Sequence, residues 1–400
     1  MVLDIKGAYL KSTIVDPNKE KLYIRYPNGK IYKLLKYVYG LKQAGYEWQR
    51  NITGELLRLG YSQSPTDPLV FSRHHHKKWI IMCIHVDDFY VVASHSNLLQ
   101  DLHNELTETY GSVSMKDGDL LSYLGMQVQV MVDGCILVNQ PGYAKQLCDM
   151  FLPDKRMVVK TPRIANETPQ EGDEEPVDIT EYLKAVGGLN YLAINTRPDL
   201  LYSLSQVASK CAAPTRRDWR HVMRVFMFVH STIEVGLKFK PGSIFFHGYV
   251  DASYNQYGDG KGSYGYCFML GKGDAAFHSV SKRMRVQPLS STEAEYVAFC
   301  EASRDADYLN RLMTDIGFKV DKPIVLYEDN KSCIDMLHSK SRHTASKHIN
   351  PKFHYGRDQI SKGIVEVRYV STLDQVADMF TKALGSKMFS PLQKKLLNDV

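Results

Sequence analysis

The stretch CIHVDDFYVVA, Cys83 to Ala93, is a run of strand formers interrupted by two adjacent carboxylates, Asp87 and Asp88. Like charges repel, and burying either one is unfavourable unless something compensates. Two arrangements tolerate the pair. One is a solvated hairpin tip, where aspartate is a common turn residue. The other is a divalent cation, which needs hard oxygen ligands and turns the repulsion into attraction. Asp4, at the end of the strand-like opening of MVLDIKGAYL, supplies a third acid. Three carboxylates on neighbouring strands can hold a metal pair for nucleotidyl transfer. Tyr9 either lies beneath an incoming sugar, where contact rejects a 2′-hydroxyl, or is a core aromatic.

A second set of acids recurs where strands end and helices begin. HGYVDASY carries Asp251, LSSTEAEY carries Glu295 after Ser/Thr capping chemistry, and PIVLYEDNKS runs a buried-type strand into Asp329. STLDQVADMFTKAL places Asp378 between Ala377 and Met379, in what the pattern predicts is a helix. Each acid alone is commonly a cap or a solvated side chain. Four of them in one α/β unit can converge on two Mg²⁺ ions about 4 Å apart, the arrangement that activates water and stabilises a leaving oxygen in phosphodiester cleavage.

The elements that must position these acids fall into blocks. From Met1 to about Lys160, strand-like runs such as KWIIMCIHV alternate with helical stretches such as NLLQDLHNELTETYG. Residues 161–178, TPRIANETPQEGDEEPVD, are acidic with little to bury and read as a surface connection or linker. A mostly helical block follows to about Lys240. From about Gly242 to Gly385 the predicted order is three strands, helix, strand, two helices, strand, helix, a mixed α/β domain. A chain of 400 residues is too long for one typical core. Its 44% hydrophobic and 24% charged residues describe an ordinary folded protein. No apolar run approaches the roughly 20 residues of a membrane span. Seven cysteines without a C-x-x-C pair fit a reduced, intracellular setting, and a net charge of +6 permits a nucleic-acid partner without requiring one.

In this order the motifs resemble the pol region of copia-type LTR retrotransposons, reverse transcriptase followed by ribonuclease H, over nearly the whole chain. DIKGAYL and VYGLKQAGYEW are similar to the first two polymerase motifs, HVDD to the metal-binding hairpin, MKD to the following lysine motif and YLGM to the primer-gripping turn. TRPDL lies in the stretch joining the two activities. YVDASY, SSTEAEY, YEDN, SKHI and QVADMFTK resemble the ribonuclease H set.

The resemblance implies Asp4, Asp87 and Asp88 as polymerase metal ligands, with Tyr9, Gly40, Lys42, Lys116 and Gly125 on the substrate side. It implies Asp251, Glu295, Asp329 and Asp378 as the nuclease acids, with Glu293 the nearest competitor to Glu295. The implied domains are a partial polymerase palm with the start of a thumb (1–160), the acidic linker and helical connection (161–241), and a ribonuclease H-like domain with a mixed five-stranded sheet (242–386). A C-terminal tail (387–400) completes them. The implied cofactor is Mg²⁺, two per site, with Mn²⁺ as a substitute. The implied partners are an RNA–DNA hybrid, an RNA template with DNA primer, and dNTPs, with no membrane. The implied location is cytoplasmic and particle-associated, with nuclear entry.

Departures from the pattern are His85 where the family has tyrosine, Gly45 for a proline, and Asn350 for an aspartate. The family's fingers precede Asp4, so the sequence leads to the expectation that this chain extends primers poorly or not at all. The competing reading is a decayed or co-opted nucleic-acid-binding protein without turnover. Other features fit simpler roles. The GxGxxG at Gly260–Gly265 is followed by YGYCFML, a strand and not the helix a dinucleotide site needs. His74–His76 and the pair His348/His354 lack partners at zinc-ligand spacing. The basic run Lys282–Arg285 is either a solvated face or a phosphate contact.

Overall fold

A computed structural model describes residues 1–14, 22–152, 157–164, 170–242, 245–254, 261–271, 273–320, 322–339 and 354–398. His348, Asn350, the SKHI motif and Gly260 lie outside them. The chain divides into two compact units, one of Met1–Leu124 with Arg311–Lys319, the other of Gly125–Asn310 with Val320–Val400.

The first unit is built on a six-stranded antiparallel sheet. Its order is Ser62–Gln63, Val70–His75, Lys78–His85, Asp88–Ala93, Val2–Ile5, Val113–Lys116. Alternation along the strands sends Leu3, Ile5, Ile80, Met82, Ile84, Phe89 and Val91 to the core. There they meet Trp48, Ile52 and Leu56 of the helix Ala44–Arg58 and Leu102 and Leu106 of the helix Ser96–Tyr110. The spacing of four between the buried helix positions is the stripe of a half-buried helix.

The second unit contains the antiparallel strands Met126–Val130, Ile136–Asn139 and Leu237–Phe239, four helices between them, and a five-stranded sheet. That sheet runs Ala276–Arg283, Ser263–Met269, His247–Ser253, Ile324–Glu328, Val365–Tyr369. The first three strands are antiparallel; the last two join in parallel, as the expected mixed sheet requires. The helix Ser291–Asp315 carries Glu295, and at its start the Ser290 hydroxyl oxygen accepts from the Glu293 amide. The strand following the glycine-rich run is Ser263–Met269, so that loop does not open a helix.

Three differences from the sequence reading stand out. Asp378 sits in a 3₁₀ turn, Val376–Phe380, and not in an α-helix. Side-chain anchors described below hold that turn against the sheet, which overrides the local helical pattern. The acidic segment is tied down where it is described: Asp173 is buried, accepts from the Gln170 amide and pairs with Arg220. Arg220 holds its carboxyl down to about 2. The C-terminal residues form a helix, Ser386–Leu397, whose Phe389, Leu392, Leu396 and Leu397 are buried in the core of the second unit.

The TRPDL stretch closes that core. Arg197 is 1% exposed and makes a two-pronged pair with Asp199 at 3.0 and 2.8 Å. It also donates to the Thr232 carbonyl at 2.8 Å, while Gln393 donates to Asp199 at 2.7 Å. Removing the cation would strand a buried carboxylate. Arg197→Ala is therefore expected to destabilise the second unit by about 3–5 kcal/mol in urea melts.

Candidate active sites

Asp251 lies in the middle strand of the five-stranded sheet, Asp329 just past the end of the adjacent strand Ile324–Glu328, and Glu295 in the second turn of the long helix. Each presents a carboxylate oxygen within 4.8 Å of the other two. Asp251 and Glu295 are buried and Asp329 is half-buried, with Thr372 donating to its Oδ2 at 2.7 Å. Glu293 is otherwise engaged, accepting from the Leu289 amide at 2.8 Å as part of the helix start.

The fourth predicted acid reaches the cluster through a cation. Lys382 donates to Asp251 Oδ1 at 3.1 Å and to Asp378 Oδ1 at 2.7 Å. Several side chains fix the 3₁₀ turn of Asp378. Gln375, fully buried, donates to the Val250 carbonyl at 2.9 Å, one residue before Asp251. Ser281 donates to the Phe380 carbonyl at 2.6 Å, and Thr381 donates to Asp251 itself. The approach is close: a Cβ on Gly265 would overlap Phe380, and one on Gly262 would overlap the Ser253 carbonyl.

A fifth acid is present that sequence reasoning passed over. Glu328 is 0% exposed; its Oε1 accepts from the Asn330 amide at 3.0 Å, and its Oε2 has no hydrogen-bond partner among the described residues. Strand alternation from buried Ile324 and Leu326 places residue 328 on the same inner face, a signal available from the sequence. Lys382 and Gln375 also lie within QVADMFTK; Lys382 stands four residues from Asp378, while no local pattern singles out Gln375.

Electrostatically the cluster is overloaded with negative charge. Burial, reinforced by Asp378 and Asp329, pushes Asp251 up to about 7 against the pull of Lys382 and Thr381. Burial also lifts Glu295, with Glu328, Asp251 and Asp329 adding repulsion. Glu328 and Asp378 are raised chiefly by burial as well. Although burial opposes it, Asp251 and Asp378 hold the Lys382 ammonium above its ordinary range. Hard oxygen donors, mutually repelling and converging, suit a divalent cation. Glu295 Oε2, buried and without a hydrogen-bond partner among the described residues, is the orphan such an ion would satisfy.

In the first unit the predicted acids share one corner of the sheet. Asp4 pairs across strands with Asp88, and the Ile5 amide donates to the Asp87 carbonyl at 3.1 Å. Val86 and Asp87 form the two-residue tip between strands ending at His85 and starting at Asp88. Val86 has φ 58°, a strained setting for a β-branched residue. Trp48 steadies it by donating to the Val86 carbonyl at 2.6 Å. Asp88 is raised by burial and then by Asp87 and Asp4, with His85 and Lys116 acting against. Among the described residues, however, these three do not meet the mutual 4.8 Å convergence of the second unit's trio. Asp4 Oδ2 accepts from Ser114 at 3.3 Å, and Asp87 Oδ2 from Tyr39 at 3.4 Å.

Tyr9 packs against Tyr39, ring centroids 4.5 Å apart and tilted by 48°, beside this corner. Gly40 has φ 95°, and Lys42 and Lys116 are exposed. Leu124 and Gly125 both have positive φ, 46° and 73°, as a tight two-residue turn demands. No histidine belongs to a candidate metal cluster among the described residues.

Residues 1–165, which carry the Asp4, Asp87 and Asp88 corner, match the family described as reverse transcriptase (RNA-dependent DNA polymerase). Likeness to retrotransposon Pol polyproteins extends through both units. The chain is 30% identical over 407 residues to the retrovirus-related Pol polyprotein from transposon RE2 of Arabidopsis thaliana, covering 98% of this chain and 27% of that protein. It is 28% identical to the corresponding polyprotein from transposon TNT 1-94 of Nicotiana tabacum, covering 97% of this chain and 30% of that one. The chain thus spans less than a third of the length of these relatives. In fold it is similar to a foamy viral protease-reverse transcriptase solved in complex with RNA/DNA hybrid, at TM-score 0.54 and 11% identity, over 93% of this chain and 44% of that one.

Proposed function

We propose that this chain is the reverse transcriptase–ribonuclease H portion of a retrotransposon Pol polyprotein, and that its second unit cleaves the RNA strand of RNA–DNA hybrids. The convergence of Asp251, Glu295 and Asp329 from three separate elements supports this reading most strongly. A bound Mg²⁺ would supply Lewis-acid activation of water and charge stabilisation at the leaving oxygen. Asp251, Glu295 and Asp329 would hold it. Asp378 would complete the acidic set from the 3₁₀ turn, and Thr372 would orient Asp329 through its hydrogen bond. Lys382 keeps the Asp251 and Asp378 carboxylates together and would yield to added positive charge. The Asp4, Asp87 and Asp88 corner is the corresponding place for a primer end and a dNTP, on residues 1–160 of the proposed division; residues 242–386 carry the nuclease.

The test is cleavage of an end-labelled RNA–DNA hybrid by the full chain with Mg²⁺. The RNA strand should be cut, a DNA duplex of the same sequence left intact, and a chelator should stop the reaction. Asp329→Asn, which removes a half-buried ligand charge, should slow cleavage at least about tenfold. Equal cleavage by both proteins, or none by well-folded protein, would refute the assignment.

A further inference from the structure

Beyond the acids, the second unit holds a cavity of about 460 Å³ whose walls are basic. Lys282, Arg283 and Arg285 of the KRMR run and Arg304 of the long helix face it, against the single carboxylate of Glu301. Its floor is apolar: Met284 and Val297 are buried, and Tyr264 forms part of the wall. The Met284 amide donates to the Gly262 carbonyl at 2.8 Å, continuing the strand geometry past Arg283 and fixing the run in place. Arg304 is held by Glu301 at 2.9 Å. The exposed cations Lys282 and Arg285 stand at the rim.

Its position relative to the acids follows from register. Lys282 pairs with Tyr264, and Tyr264 with Ala252, the neighbour of Asp251. Two strand spacings put the Lys282 backbone about 10 Å from that of Ala252. Along the helix, Glu301 follows Glu295 by six residues, about 9 Å of rise. The cavity wall therefore begins on the order of 10 Å of backbone from the acid trio.

We infer that this cavity seats backbone phosphates of the hybrid engaged at the acids, with Lys282 and Arg285 as the principal contacts and the apolar floor facing sugar. The inference rests on the nuclease assignment for its substrate. A solvated basic face would carry its cations outward on a convex surface, whereas here they line a recess. Phosphate contacts carry no sequence information but fix register, so the contact would position the RNA strand for cutting.

The experiment is hybrid binding by fluorescence anisotropy with the full chain, in calcium, across a salt series, for wild type and Lys282→Ala/Arg285→Ala. Losing two phosphate contacts should lower the slope of log affinity against log salt by about 2 and weaken binding at ~0.1 M salt at least about tenfold. The charge-preserving Lys282→Arg/Arg285→Lys pair should restore both. An unchanged slope and affinity would overturn the inference, even if the wild type cleaves hybrid. A reduced slope would sustain it, even if no cleavage is ever seen, so the two readings fail separately. Should the double alanine variant not fold, Lys282→Gln and Arg285→Gln singly, each with a slope change near 1, carry the same decision.

Discussion

Asp251→Asn is expected to slow hybrid cleavage by on the order of a thousandfold and, at pH 8 without divalent cations, to make the chain more stable than wild type. The first effect follows from its place in the trio. A ligand ion contributes several kcal/mol of transition-state stabilisation, and each 1.4 kcal/mol is tenfold in rate. The second follows from burial. Asp251 is 1% exposed and pushed up to about 7, so ionising it by pH 8 is far less favourable in the folded chain than in the unfolded one. An amide of the same shape avoids that penalty and can still accept from Thr381, while Lys382 keeps Asp378 as partner. Allowing for the lost ion pair, the gain should be about 1–3 kcal/mol in urea melts. Activity and stability moving in opposite directions is the signature of a residue kept for chemistry. Cleavage within threefold of wild type, or a destabilised variant, would contradict this account of Asp251.

The same physics predicts an inverted pH dependence. Without divalent cations the chain should be less stable at pH 8 than at pH 5, with Mg²⁺ restoring much of the loss. Folded Asp251 retains its proton to about 7, whereas an unfolded aspartate releases it near 3.8. Between those values the native state binds more protons, so stability falls as pH rises. From pH 5 to 7 that amounts to about 3 kcal/mol for Asp251 alone, at 1.4 kcal/mol per unit. Glu295, Glu328 and Asp378 are raised too and act in the same direction. His247, pushed down by burial, opposes them below its ordinary 6.5; Asp173, held low by Arg220, matters only below its ordinary 3.8. A cation that binds only the folded chain adds RT ln(1 + [L]/Kd), and deprotonated acids bind it best. Urea melts at pH 5 and 8, with chelator and with ~10 mM Mg²⁺, decide the matter. Stability climbing to pH 8 in chelator, with no response to magnesium, would sink the prediction.

Much of this architecture could be read from residue patterns, for identifiable reasons. Short runs of strand-forming apolar residues in KWIIMCIHV and PIVLYE mark the strands, and Ser290 with Glu293 marks the start of the long helix. The acids at strand ends stood out because carboxylates among strand formers conflict with local preference. VADMFTKAL spaces apolar and polar residues helically, which predicts a helix at Asp378; only tertiary anchors such as Gln375 and Ser281 make it a 3₁₀ turn. Glu328 was hidden by its neighbour, since an acid beside Asp329 looks like part of the same polar turn. Arg220, which buries Asp173, lies 47 residues away, and no local pattern announces such a pairing.

The glycines at 262 and 265 look like a nucleotide loop on paper, yet their work is to be absent. With no side chain at 265, the segment bearing the fourth acid can rest directly on the sheet. A substitution at that position, even to alanine, would keep every acidic residue and still lift one of them out of reach. Intact motifs would then conceal a broken site.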